Sequence, residues 1–232
     1  MMEEQNIEQE SRVERLREHA SMSVLARAMS NVFRPSYFPM LGFVLLLMFT
    51  YLSQLPWQFK AAILAMVYLF TLFLPAIGVY AFRRMRRLNV QQLTLHHNRL
   101  VPYVLHIICY GVLLRFLFSI HAPVFMGGII VISLLVQCVC TVTTLWWKVS
   151  MHSAGVGAIM GALVAYSSIF HFNPVWWLCL ALLVSGAVNS SRMYLRQHTL
   201  WQVLGGTLIG FACGLVGLFI RPCAIQDRHR HA

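Results

Sequence analysis

Ser191-Arg192, five residues, His198, three residues and Gln202 form a spaced set in which a guanidinium and an imidazole precede a neutral amide. A second set, Lys148, Ser150 and His152, places a point charge, a hydroxyl and another imidazole within five positions. Arg99 adds a further cation upstream. These residue types suit one chemistry. Arginine presents forked donors that match phosphate oxygens. Lysine adds charge, serine a neutral donor, and histidine a proton that moves near neutral pH. The residues that are missing agree with this. No Asp or Glu lies between Glu18 and Asp227, while thirteen Lys and Arg do. A stretch without carboxylates cannot build the oxygen cage that Mg²⁺ or Ca²⁺ requires. The expectation is a phosphate site that uses neither metal nor other cofactor.

The elements that must position these residues are long and apolar. The chain is 59% hydrophobic and only 11% charged, where a soluble domain carries about a quarter charged residues. Apolar runs occupy roughly 37–54, 58–82, 100–120, 123–147, 153–171, 174–190 and 200–220. Most are long enough to cross a bilayer as a helix, and the period-two alternation of a β-barrel is absent. The fold expected is an all-α polytopic membrane protein with six or seven transmembrane helices in one bundle. Pro56, Pro123 and Pro174 mark turns between paired runs. Three regions follow: an N-terminal polar arm over 1–36, a membrane domain over 37–221 and a short polar tail over 222–232. Residues 8–33 alternate charge with Val13, Leu16, Val24, Leu25 and Ala28, and read as an amphipathic helix on the membrane surface.

With seven runs, Arg99 precedes the third, Lys148 and His152 open the fifth, Arg192 closes the sixth and His198 opens the seventh. Each pair of positions is separated by an out-and-back hairpin, so all five fall on one membrane face. Ionisable groups at a membrane edge are functional candidates. On the seventh helix His198, Gln202, Gly206, Gly210 and Gly214 recur every four residues and share one face. The glycines of that stripe admit a closely packed neighbour.

Other polar residues have ordinary explanations. Lys148 after Trp146-Trp147 also fits an interfacial belt with a snorkelling lysine. Arg83, Arg84, Arg86 and Arg87 read as a topology or headgroup patch. Arg115 snorkels toward the opposite face, and His106 and His121 read as structural. The cations lie in short loops between apolar runs, so the basic balance points to membrane lipids and not to nucleic acid. Cys138 and Cys140 lack metal or redox spacing.

The set from Ser191 to Gln202 resembles the third signature of the type 2 phosphatidic acid phosphatase superfamily, which reads Ser-Arg, five residues, His, three residues, Asp. Ser150-Met151-His152 resembles the Ser-Gly-His of its second signature, with Val149 and Met151 in place of the usual Pro and Gly. Arg99 and Lys148 resemble a divergent first signature, with Gln92 where a Lys would stand. The resemblance covers about residues 90–220. It implies that His198 attacks phosphorus and forms a phosphohistidine, while His152 protonates the leaving oxygen and later activates water. It implies that Arg192, Arg99, Lys148 and Ser150 stabilise the equatorial oxygens, and that Gln202 orients His198 in place of the family's Asp. The activity implied is an integral-membrane lipid phosphatase, with phosphotransferase and non-catalytic lipid-phosphate binder or transporter as the rivals. The substrates permitted are polyprenyl pyrophosphate, phosphatidate, phosphatidylglycerol phosphate or lipid A types. Relatives of this kind sit in the cytoplasmic membrane with the site on its outer face. The arginines at 83–87 argue the other way, since loops rich in cations face the cytoplasm.

Overall fold

The computed structural model describes residues 21–49, 54–86, 96–171 and 173–230, all of it helix and short connections with no strand among the described residues. The helices are α1 (Ser21–Val32), α2 (Phe38–Phe49), α3 (Trp57–Tyr68), α4 (Leu74–Arg86), α5 (His96–Ser119), α6 (Val124–Trp146), α7 (Met151–Phe170), α8 (Val175–Tyr194) and α9 (Leu200–Arg230). A 3-10 turn, Pro35–Tyr37, joins α1 to α2, and the two helices meet at a bend of 42°. The all-helical membrane architecture expected from the apolar runs is the one observed. Of the expected N-terminal amphipathic helix, 8–20 lie outside the described residues. The part from Ser21 is helical and leaves Met22, Val24, Leu25 and Val32 exposed.

Among the described residues, four helical stretches are long and apolar enough to cross a membrane: Trp57–Met85, Leu100–Ser119, Phe125–Trp146 and Leu200–Gly217. A fifth is added if the bent pair of α1 and α2 counts as one span. The six or seven expected runs included α7 and α8, which are not among these. Both are 20 residues long. Asn189, Ser190 and Arg192 dilute the hydropathy of α8 at its end. The second run is continuous from α3 to α4 through a π-helical segment at Leu69–Phe73. There Pro75 lacks the N–H that an α-helix would use, and the widened turn accommodates the break. Thr71, fully buried, returns its hydroxyl to the Val67 carbonyl at 2.8 Å.

Packing falls into two clusters. One joins Phe43, Leu46 and Leu47 of α2 to Val67 of α3, Leu113 and Leu117 of α5, and Ile130 of α6. The other joins Ile132, Val136 and Cys140 of α6 to Ala154, Ala158 and Ala165 of α7. The glycine stripe of α9 lies against α7. A Cβ on Gly206, Gly210 or Gly214 would strike the carbonyls of Ser150, Ala154 and Ala158, and one on Gly157 or Gly161 of α7 would strike those of Thr207 and Phe211. The two backbones thus touch along their length, which is the close approach that small residues permit in a membrane. This seam ties the start of α7, with His152, to the start of α9, just after His198. Asn189 links α8 to the same seam by donating to Ser185 Oγ at 3.2 Å and Thr207 Oγ1 at 3.4 Å.

Candidate active site

Arg192 and His198 are brought together by the way α8 ends. The Leu195 N–H donates to the Ser191 carbonyl, Arg196 N–H to Met193 and Gln197 N–H to Arg192, which closes the last turn on itself. Arg196 takes a left-handed conformation with φ of 51° and reverses the chain toward α9. The six-residue step from Arg192 to His198 therefore spans a helix end and a tight turn, and both side chains line one cavity.

That cavity has a volume of about 230 Å³. His152 at the start of α7, Arg192 at the end of α8 and His198 before α9 form one wall. Ser36 of the 3-10 turn, Pro102, Tyr103, His106 and Tyr110 of α5, and Gln137 of α6 complete it. The C-terminal part of α1 closes on the same groups. The Ser30 carbonyl accepts from His152 Nε2 at 3.2 Å, and Ser30 Oγ accepts from Arg192 at 2.6 Å. The first bond puts a proton on Nε2, since a carbonyl only accepts. His152 stands ahead of the apolar run that begins at Ser153. Burial first, then the Arg192 guanidinium, pushes its imidazole down to about 4, although the Ser30 carbonyl pulls the other way. The resting ring is therefore neutral at neutral pH, with its proton on the nitrogen that faces Ser30.

The remaining expected site residues are placed differently. Ser150 is fully buried as the N-cap of α7, where its hydroxyl oxygen accepts from Ser153 N–H at 3.4 Å and Ser153 Oγ at 2.8 Å. One of the free N–H groups at this helix start is thus taken by the helix's own cap. Lys148 is exposed and donates Nζ to the Gln197 carbonyl at 3.0 Å, bracing the α8–α9 turn from outside the cavity lining. The Gln202 side chain turns back on its own helix, and its Oε1 accepts from Thr199 N–H at 3.2 Å. This is one half of a capping box, Thr199-Leu200-Trp201-Gln202. The backbone of Arg99 lies in the first turns of α5, ahead of Pro102 in the cavity wall; its side chain is outside the described residues. The sequence reading passed over Ser30, Ser36 and His106. His106, expected to be structural, lines the cavity.

A second, larger cavity of about 620 Å³ lies beside the first. It runs between α2, α6 and α7 and is lined by apolar residues such as Leu45, Ile129, Ile159 and Leu163. Pro35, Tyr110, Gln137 and Met151 line both spaces. A small polar chamber holding a guanidinium and three imidazoles thus shares its wall with an apolar slot.

No curated protein and no solved structure matches the chain. Residues 136–222 match the family model of the PAP2 superfamily. The segment that contributes Lys148, Ser150, His152, Arg192, His198 and Gln202 is therefore similar to the PAP2 superfamily.

Proposed function

We propose that this membrane protein is a metal-independent lipid phosphatase that hydrolyses a phosphate or pyrophosphate monoester of a lipid. The observation that carries the reading is the pairing of the two cavities. A chamber with an arginine and three histidines adjoins an apolar slot of about 620 Å³, as an amphiphile with a phosphate head requires. In the reaction, His198 attacks phosphorus and the bond to the leaving oxygen breaks. As the substrate phosphate displaces the Ser30 carbonyl, its negative charge lets His152 take up a second proton from solvent; the imidazolium gives one proton to that oxygen, and the neutral ring then takes one from the water that releases phosphate from His198. Arg192 stabilises the negative charge on the equatorial oxygens, with Arg99, Lys148 and Ser150 as further contributors once substrate draws the loops inward. No carboxylate is required in any step, which suits a chain that has none between Glu18 and Asp227.

Catalysis requires Ser30 to yield. Its carbonyl and hydroxyl hold the His152 and Arg192 donors that a phosphate needs. We place the site on the outer face of the cytoplasmic membrane. Labelling of a Val90→Cys variant in intact cells by an impermeant reagent supports that placement, and protection refutes it. A non-catalytic lipid-phosphate binder is the second reading, favoured by Gln202 being engaged with Thr199. The two separate in one assay. Purified protein should release inorganic phosphate from a panel of lipid phosphates, insensitive to EDTA and blocked by vanadate, whereas a binder releases none.

A further inference from the structure

Of the three histidines in the polar cavity, His106 is the one that the proposed reaction leaves idle. Its geometry is defined on both sides. Nδ1 lies 2.7 Å from the Pro102 carbonyl oxygen, an atom that only accepts, so Nδ1 carries the proton. In the neutral ring Nε2 is then an acceptor, and Ser36 Oγ at 3.0 Å is its donor. Tyr110 packs edge-to-face with the ring, the centroids 6.0 Å apart, which fixes its tilt. The Ser36 proton is committed to His106, and what the serine offers the cavity is an oxygen with its lone pairs. Such an atom repels phosphate oxygens and favours a neutral O–H or N–H. It also stands at the junction of the two cavities. Pro35 beside Ser36 and Tyr110 one turn from His106 belong to both linings.

Resting on the lipid-phosphatase reading, we propose that Ser36, held by His106, is the subsite for a hydroxyl that the substrate carries beside its phosphate ester. The preferred substrates are then lipid phosphomonoesters with a free hydroxyl close to the phosphate. Polyprenyl diphosphates are disfavoured, because they bring only further anionic oxygens to that position. The hydroxyl can belong to a glycerol or to a sphingoid backbone. His106 is a positioning residue, since it acts on substrate only through the serine.

The test uses the full chain in detergent with a single-chain acylglycerol 3-phosphate, the same lipid lacking its 2-hydroxyl, and a sphingoid base 1-phosphate. The wild type should favour the hydroxylated glycerol lipid over its deoxy analogue by about fivefold in kcat/KM, the worth of one neutral hydrogen bond. Ser36→Ala should erase that preference by slowing only the hydroxylated lipid, and the unchanged deoxy rate reports an intact fold. Whichever hydroxylated lipid gives the higher wild-type kcat/KM assigns the backbone. Equal rates for the glycerol pair in the wild type, or a preference that survives Ser36→Ala, overturns the subsite while the phosphatase reading stands. If Ser36→Ala is inactive on every lipid, Ser36→Thr decides, because it keeps the hydroxyl: a retained preference supports the subsite and a lost one overturns it. Failure of the wild type to release phosphate from any of these lipids or from a polyprenyl diphosphate overturns the phosphatase reading, and the subsite with it.

Discussion

Gln202 stands where the superfamily signature has its Asp, and its amide oxygen closes the first turn of α9 by accepting from Thr199 N–H. Gln202→Ala should therefore lower the stability of the detergent-solubilised protein by about 1 kcal/mol, as loss of a helix cap does, and reduce turnover. Gln202→Glu, which can make the same capping bond, should restore the melting temperature. Ser150 makes a comparable point. A hydroxyl beside a lysine and a histidine suits a phosphate ligand and a helix cap equally well, and only its complete burial on Ser153 distinguishes the resting role. His152 has a titration that stability can report. Its folded value, pushed down to about 4 by burial and Arg192, lies below the ordinary 6.5 of an unfolded chain. The unfolded state therefore takes up the proton first as pH falls. The contribution is complete above about 6.5 and is lost as the pH drops toward 4. Melting temperature against pH should show this decline, and His152→Gln should flatten it; an equally steep decline in that variant would refute the assignment.

At the scale of elements, the α7–α9 seam sets the distance between the two histidines proposed as catalytic. Gly210→Val places side-chain atoms against the Ala154 carbonyl. It should cost about 2–3 kcal/mol of stability, as overpacking does. Gly111→Ala, with open space where its Cβ would go, should be nearly neutral. The α1 contact gives a prediction of opposite sign. Ser30→Ala removes the hydroxyl that competes for Arg192, so inorganic phosphate should inhibit that variant a few-fold more strongly; unchanged inhibition would show that Ser30 does not occupy the anion position. Much of this level was legible beforehand. Apolar runs fix where membrane helices lie, and the four-residue glycine spacing announced a close partner for α9. The π-helical widening at Leu69–Phe73 was not legible, because a single extra residue in a turn leaves the hydropathy of the run unchanged. Nor was Ser30, which meets His152 across 122 positions of sequence, a separation that no local pattern encodes.

For the whole molecule, the proposed function rests on two cavities that share part of their lining. The residues that the third signature supplies, Arg192 and His198, were identifiable from spacing alone, because helix end, tight turn and helix start convert that spacing directly into proximity. The opposite wall was not identifiable. Ser36, His106 and Gln137 come from three separate elements, and only tertiary packing places them together. The apolar slot likewise arises from the gap between α2, α6 and α7 and leaves no motif. Its role can be tested by filling it. Ile159→Trp should slow hydrolysis of a long-chain lipid phosphate about tenfold or more, and should leave hydrolysis of a short-chain, water-soluble phosphomonoester within about twofold, since a Trp in the slot removes space only for the chain. The central claim, that this chamber transfers phosphate through His198, is tested most directly by rapid quench of purified protein turning over a lipid labelled in its phosphate, in the presence of EDTA. The expected result is acid-labile, alkali-stable label on the wild-type protein and none on His198→Ala, which should also release no phosphate; phosphate release by His198→Ala at the wild-type rate would contradict it.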